Sequence, residues 1–132
     1  MDKLRLTLLD VLMYNLLALN FDAREKVDVN YSDLRDLKDH ATVSFDPGVG
    51  TGKTTWLYHT AAEDDVLICR VPLDLPCDGA VLRPDEIYNA PLGTLASPTT
   101  VYIDAASTYS PQELDVIYSR YACEGVTFVL VG

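Results

Sequence analysis

The first part of the chain carries apolar residues at the spacing of an α-helix. In segment 4–21, "LRLTLLDVLMYNLLALNF", they recur every three or four positions, at Leu4, Leu8, Val11, Leu12, Leu16 and Leu19. This period and the leucine-rich composition favour a helix over a strand. The segment is interrupted by polar side chains at Arg5, Asp10, Asn15 and Asn20. Because the uninterrupted runs are too short to span a bilayer, we expect a helix buried in the protein rather than a signal peptide or membrane anchor.

A weaker helical pattern covers 31–40, and from residue 41 onward short apolar runs alternate with helical patterns. We predict strands at 41–45, 65–72, 99–105 and 126–132, and helices at 51–62 and 110–125. Between them, 73–98 is rich in Pro, Gly, Asp and Asn, which predicts an irregular connection with at most a short helix near 84–88.

The helix predicted at 110–125 has the clearest boundaries. Ser110 and Glu113 have the spacing of a capping box. Pro111 stands at the first helical position and Gly125 at the expected end.

Strands that alternate with helices predict an α/β fold, a three-layer sandwich with a mainly parallel sheet buried on both faces. We assign this core to 41–132 and an N-terminal helical extension to 1–40. Since the crossovers of such a sheet are right-handed, the loops that follow the strands collect at one edge, where ligands bind.

Composition and charge narrow the possible partners. The 132 residues suffice for one domain, and 48% of them are hydrophobic, which is ordinary for a globular protein. Twenty acidic against ten basic side chains give a formal charge of -10, which opposes attraction to nucleic acid or an anionic membrane. Three cysteines without a C-x-x-C pair indicate reduced thiols and a cytoplasmic location.

The stretch "DPGVGTGKTTW", residues 46–56, has the character of a phosphate-binding loop. Gly48, Gly50 and Gly52 tolerate the unusual dihedrals that turn main-chain N–H groups toward an anion. The helix predicted to begin there adds uncapped N–H groups, Lys53 adds a cation, and Thr54 offers a hydroxyl to Mg²⁺.

One position departs from the G-x-x-x-x-G-K-[ST] spacing, because Pro47 stands where the first glycine belongs. Proline removes an N–H group and fixes φ, but the donors expected to hold phosphate lie later, between Gly50 and Thr55 and including Thr51. The substitution therefore affects the entry to the loop. The alternative is a plain turn between a strand and a helix.

Asp104 is the second candidate. It ends the predicted strand "VYID", where a carboxylate beside the loop can hold Mg²⁺ opposite Thr54; the alternative is a carboxylate that caps the turn before Ser110. The next residue is Ala105, whereas many nucleotide hydrolases carry a glutamate that orients the attacking water. Hydrolysis thus lacks its usual base. Glu113 is an alternative base, although the capping box gives it a structural role.

In the order "PGVGTGKTT", "VYIDA" and "PQELDVIYSRYACEGVTFVLVG", the chain resembles the first RecA-like domain of superfamily 1 helicases, especially those of positive-strand RNA viruses. The resemblance covers 41–132. It implies that Gly50, Gly52, Lys53 and Thr54 bind the triphosphate and that Asp104 binds magnesium, with Lys53 and Asp104 as the catalytic pair. It also implies a viral protein in the host cytoplasm. An Asp and a γ-phosphate-sensing Gln would follow Gly132, and a second RecA-like domain would complete a helicase.

These observations predict a domain that binds ATP or another NTP together with Mg²⁺, with weak or partner-dependent hydrolysis. The alternatives are a non-hydrolysing, nucleotide-gated interaction module and a small-molecule kinase. The expected partners are the nucleotide, a second RecA-like domain or another protein, and nucleic acid only within a larger assembly.

Overall fold

A computed structural model of the chain describes residues 3–91 and 95–132. Its helices are α1 (Lys3–Arg24), α2 (Leu34–His40), α3 (Lys53–Thr60), α4 (Pro84–Tyr88) and α5 (Pro111–Tyr121). Its strands are β1 (Thr42–Phe45), β2 (Val66–Ile68), β3 (Ala80–Leu82), β4 (Thr100–Asp104) and β5 (Thr127–Val131). A short 3₁₀ turn, Ala106–Thr108, follows β4.

The five strands form one sheet in the order β1-β5-β4-β2-β3, and every pair is parallel. The α/β fold with a parallel sheet is therefore confirmed. Strand β3 was not predicted, because it lies in the stretch expected to be irregular. Three residues are too few to show a period, and β3 forms at the sheet edge by pairing with β2. Residues 92–94 of that predicted connection lie outside the described residues.

The helices cover both faces of the sheet. Two apolar clusters result because successive side chains of a strand point to opposite faces. In β4, Val101 and Ile103 pack with the cluster that contains Leu37 of α2 and Ile117 of α5. Tyr102, between them, packs with the cluster formed by α1 and α3.

Helix α1 forms where it was predicted, but the expectation that it is buried is wrong. Only Leu9 and Met13 of this helix are buried, and they pack on the side of the sheet that α3 also covers. Of the six positions that define the predicted face, only Leu16 packs against the core. The others are between 42% and 69% exposed, at Leu4, Leu8, Val11, Leu12 and Leu19.

By length and composition alone, α1 could cross a membrane, with a mean hydropathy of 1.3 over its most apolar window. In the structure its C-terminal half is tied to the domain by polar contacts. Asn20 donates a hydrogen bond to the carbonyl of His40, and Arg24 donates to the carbonyl of Val126 and the hydroxyl of Thr127. These contacts fix α1 along the domain.

Helix α5 begins as predicted. The Ser110 hydroxyl accepts the N–H of Glu113, whose carboxylate accepts the N–H of Ser110, and Pro111 is the first helical residue. The helix ends at Tyr121 rather than at Gly125, which has a positive φ in the turn before β5.

Candidate functional site

The glycine-rich loop lies where β1 ends and α3 begins. Gly48, Gly50 and Gly52 have φ angles of 103°, 77° and 79°, in the region that side chains other than glycine's rarely adopt. A Cβ atom at Gly48 or Gly50 would find no heavy atom within 4 Å. The glycines are therefore required by the shape of the main chain, and open space lies beside two of them.

The main-chain N–H groups of this loop are the next feature of the site. Val49 and Gly50 form a tight turn. From Gly52 to Thr55 no main-chain N–H group donates a hydrogen bond to a described residue, and the first N–H bonded at the start of α3 is that of Trp56, to the carbonyl of Gly52. The N–H groups at the start of a helix have no intrahelical acceptors. These N–H groups can donate hydrogen bonds to an anion without breaking an internal hydrogen bond.

Lys53 is the first residue of α3. Its ammonium lies 3.4 Å from Oδ1 of Asp46, and Oδ1 also accepts the N–H of Gly48 at 3.1 Å. A Cβ atom built on Gly132 would lie 3.0 Å from Nζ. The lysine side chain thus crosses from α3 to the end of β5, and the absence of a side chain at Gly132 leaves room for it.

Asp104 and Thr54 are brought together although fifty positions separate them in the sequence. The Thr54 hydroxyl donates to the Asp104 carboxylate, with Oγ1 3.1 Å from Oδ2 and 3.3 Å from Oδ1. Asp104 also accepts the N–H of Ala105 at 3.0 Å, so it stabilises the turn after β4 as well. The buried thiol of Cys69 lies 4.0 Å from Oδ2. Its pKa rises to about 12 through burial and the nearby Asp104 charge.

Ala105 follows Asp104 with a φ of 52°, the only positive φ of a non-glycine residue among those described. It carries no carboxylate. Glu113, the sequence alternative for a base, is held elsewhere: it accepts the N–H of Ser110, two hydrogen bonds from Arg70, and the Tyr88 hydroxyl. These contacts, the Ser110 N–H first, lower the Glu113 pKa to about 2, which makes it a poor proton acceptor.

Sequence reasoning did not identify the network around Arg70. The guanidinium lies 4.0 Å from the centre of the Tyr109 ring and donates to the hydroxyl and carbonyl of Thr108. The Thr108 hydroxyl in turn donates to the carbonyl of Ala105 at 2.7 Å. Arg70 therefore braces the turn that follows Asp104. Its position near the end of the strand predicted at 65–72 was the available signal, but no pattern linked it to residues about forty positions away.

The aromatic side chains after the loop belong to the core. Trp56 is 1% exposed and donates its indole N–H to Asp10 of α1 at 2.7 Å. Tyr58 is buried and its hydroxyl accepts the N–H of Leu73. Neither side chain offers a free face for stacking.

A cavity of about 230 Å³ adjoins the loop, lined in part by Asp46, Ser107 and Gly132. A larger one, of about 460 Å³, lies at the opposite edge of the sheet beside Arg24 and is not lined by any candidate residue. The smaller cavity therefore adjoins the start of the loop at Asp46, and Lys53, Thr54 and Asp104 are not among the residues that line it.

No group of three or more His, Cys, Asp or Glu side chains suited to a metal occurs among the described residues. A hydroxyl and a carboxylate at contact distance nevertheless fit Mg²⁺, which prefers oxygen and takes few ligands from protein when phosphates and water supply the others. Thr54 and Asp104 are such a pair. Comparison with protein-family models, with curated proteins and with solved structures gave no match.

Proposed function

We propose that this chain is a nucleotide-binding domain that takes ATP or another NTP together with Mg²⁺. The observation that carries the proposal is the meeting of Thr54 with Asp104 at a helix start whose N–H groups, from Gly52 to Thr55, donate no hydrogen bond to a described residue. A plain strand-to-helix turn would explain the glycines. It would not explain why a hydroxyl and a strand-end carboxylate converge on the same helix start.

In this proposal the triphosphate lies on the main-chain N–H groups of the loop. The residues that hold it are Gly48, Gly50, Thr51, Gly52, Lys53, Thr54 and Thr55. Lys53 neutralises phosphate charge, while the N-terminal end of α3 adds its partial positive charge. Thr54 and Asp104 would hold Mg²⁺, which would offset the negative charge of the phosphates.

We further propose that the domain is of the RecA-like, superfamily 1 helicase type. The support is the order of the motifs along the chain, together with a parallel sheet in which the loop after β1 and Asp104 at the end of β4 lie at the same edge. Movement on a nucleic acid strand requires a second domain across the nucleotide. Any nucleic-acid activity therefore belongs to a larger assembly.

Titration with Mg-ATP tests the proposal. We expect Lys53→Ala to weaken ATP binding at least tenfold, because the change removes the cation that faces the phosphates. Lys26→Ala is the matched control, since the Lys26 ammonium also lies 3.4 Å from a carboxylate, that of Asp22 in α1. Equal, negligible binding by the wild type and both variants would refute nucleotide binding.

ATP titrations with and without Mg²⁺ test the proposed metal ligand Thr54. Thr54→Val should remove most of the gain in ATP affinity that Mg²⁺ provides, because valine has the shape of threonine without the hydroxyl. Thr55→Val keeps the main-chain N–H group and should retain that gain. A Thr54→Val protein with an unchanged response to Mg²⁺ would refute the assignment of Thr54 as a ligand.

A second candidate is a module that binds nucleotide without hydrolysing it. It is favoured by the absence of a carboxylate at Ala105 and by the engagement of Glu113 with Arg70 and Ser110. Phosphate release separates the two candidates. Sustained release by the wild-type chain supports an NTPase, whereas tight binding without release supports the interaction module.

A further inference from the structure

The single acidic side chain within the loop, Asp46, contacts the lysine that is proposed to bind phosphate. Asp46 follows the last residue of β1, and its Oδ1 atom lies 3.4 Å from Nζ of Lys53 and 3.1 Å from the N–H of Gly48. The Asp46 side chain is 66% exposed and that of Lys53 is 22% exposed. An exposed carboxylate is thus paired with a lysine side chain that is mostly shielded from solvent.

Asp46 is the only partner of the Lys53 ammonium among the hydrogen bonds and ion pairs of the described residues. A phosphate that approaches the loop is also an anion. It can have the full attraction of Lys53 only if the carboxylate moves away, because two negative groups at one ammonium repel each other.

We propose that Asp46 regulates the nucleotide site by competing with phosphate for Lys53. This inference rests on the proposed function, since it assigns a control element to the same site. Asp46 sets the affinity of the loop. In the nucleotide-free protein it keeps the ammonium paired, and a bound triphosphate displaces it.

The test compares the wild type with Asp46→Asn by titration with Mg-ATP. Asparagine keeps an oxygen that accepts the N–H of Gly48, so the turn is retained while the charge is removed. We expect Asp46→Asn to bind ATP about two- to fivefold more tightly, as the loss of a competing exposed ion pair implies. The matched control is Asp22→Asn, which releases Lys26 from a carboxylate at the same 3.4 Å on α1 and should not alter ATP affinity.

A second readout needs no nucleotide. Acetylation of lysines by an N-hydroxysuccinimide ester, followed by mass spectrometry, should show faster labelling of Lys53 in Asp46→Asn, because its amine is no longer held in an ion pair with a carboxylate. The rate at Lys26 should stay the same in that variant. Tighter ATP binding without faster Lys53 labelling would mean that Asp46 repels the nucleotide without acting through Lys53, and would overturn the proposal.

Failure of the inference is distinguishable from failure of the proposed function. If the wild type binds ATP and Asp46→Asn binds it equally or more weakly, regulation by Asp46 is refuted while nucleotide binding stands. If neither protein binds ATP, the proposed function is refuted and the inference with it.

Discussion

At the scale of single residues, the hydrogen bonds of Glu113 hold its carboxylate in a structural role. Its carboxylate accepts hydrogen bonds from the start of α5, from Arg70 after β2 and from Tyr88 of α4. The capping role was predicted from the spacing of Ser110 and Glu113. The contacts with Arg70 and Tyr88 join elements that are distant in the sequence, so Glu113 connects three parts of the domain.

These contacts predict a pH dependence of stability. The Glu113 pKa is lowered from 4.5 to about 2 in the folded chain, so its ionised form stabilises the fold above about pH 4.5, and this contribution is lost as the pH falls toward 2. We expect Glu113→Gln to lower the melting temperature at pH 7 and to differ less from the wild type at pH 2.5. Thermal unfolding at both pH values measures this.

The control for that experiment is Glu63→Gln, which changes an exposed glutamate and should leave the melting temperature nearly unaltered at pH 7. A Glu113→Gln difference that stays constant between pH 7 and pH 2.5 would contradict the role of the ionised carboxylate.

Some residues of the candidate site can be identified from the local sequence, and others only from the folded structure. Lys53 and Thr54 were identified because their spacing from the glycines reflects a local requirement of the loop. Asp104 was identified because it ends an apolar strand. Asp46 and Arg70 were not assigned to the site, since their importance comes from contacts that only the folded chain creates.

At the scale of elements, helix α1 shows that a period predicts a helix more securely than it predicts the buried face. The helix carries apolar residues on two opposite sides. One side, with Leu9 and Met13, packs on the sheet, and the other, with Leu4 and Leu8, faces away from it. The pattern of leucines was consistent with either orientation. Contacts such as Trp56 with Asp10 fix which side turns inward.

Adjacent leucines of α1 provide a test of this orientation. We expect Leu9→Ala to reduce the free energy of unfolding by about 2–4 kcal/mol, because it removes a buried side chain and leaves a cavity. Leu8→Ala, at a position that is 60% exposed, should change it by less than about 0.5 kcal/mol. Chemical denaturation measures both values. Equal losses in the two variants would contradict the orientation of α1.

At the scale of the whole molecule, the order of the strands assembles the site. Strand β5 lies between β1 and β4, so the loop after β1 and Asp104 at the end of β4 are separated by one strand. At that strand's end Gly132 leaves space for Lys53. Neither the position of β5 nor the addition of β3 at the edge follows from the alternation of strands and helices, because each depends on pairing between distant segments.

By itself, the sequence determined the features that depend on neighbouring residues. These are the positions of most helices and strands, the capping box of α5, the parallel α/β class and the glycine loop before α3. Only the tertiary structure decided the buried side of α1, the strand order, the pairing of Asp46 with Lys53 and the bracing of the Asp104 turn by Arg70. The physical reason is the distance along the chain over which each kind of interaction acts. Turn dihedrals, helix caps and hydrophobic periods act over a few positions, whereas a salt bridge or a choice of packing face depends on which distant surfaces meet when the chain closes on itself.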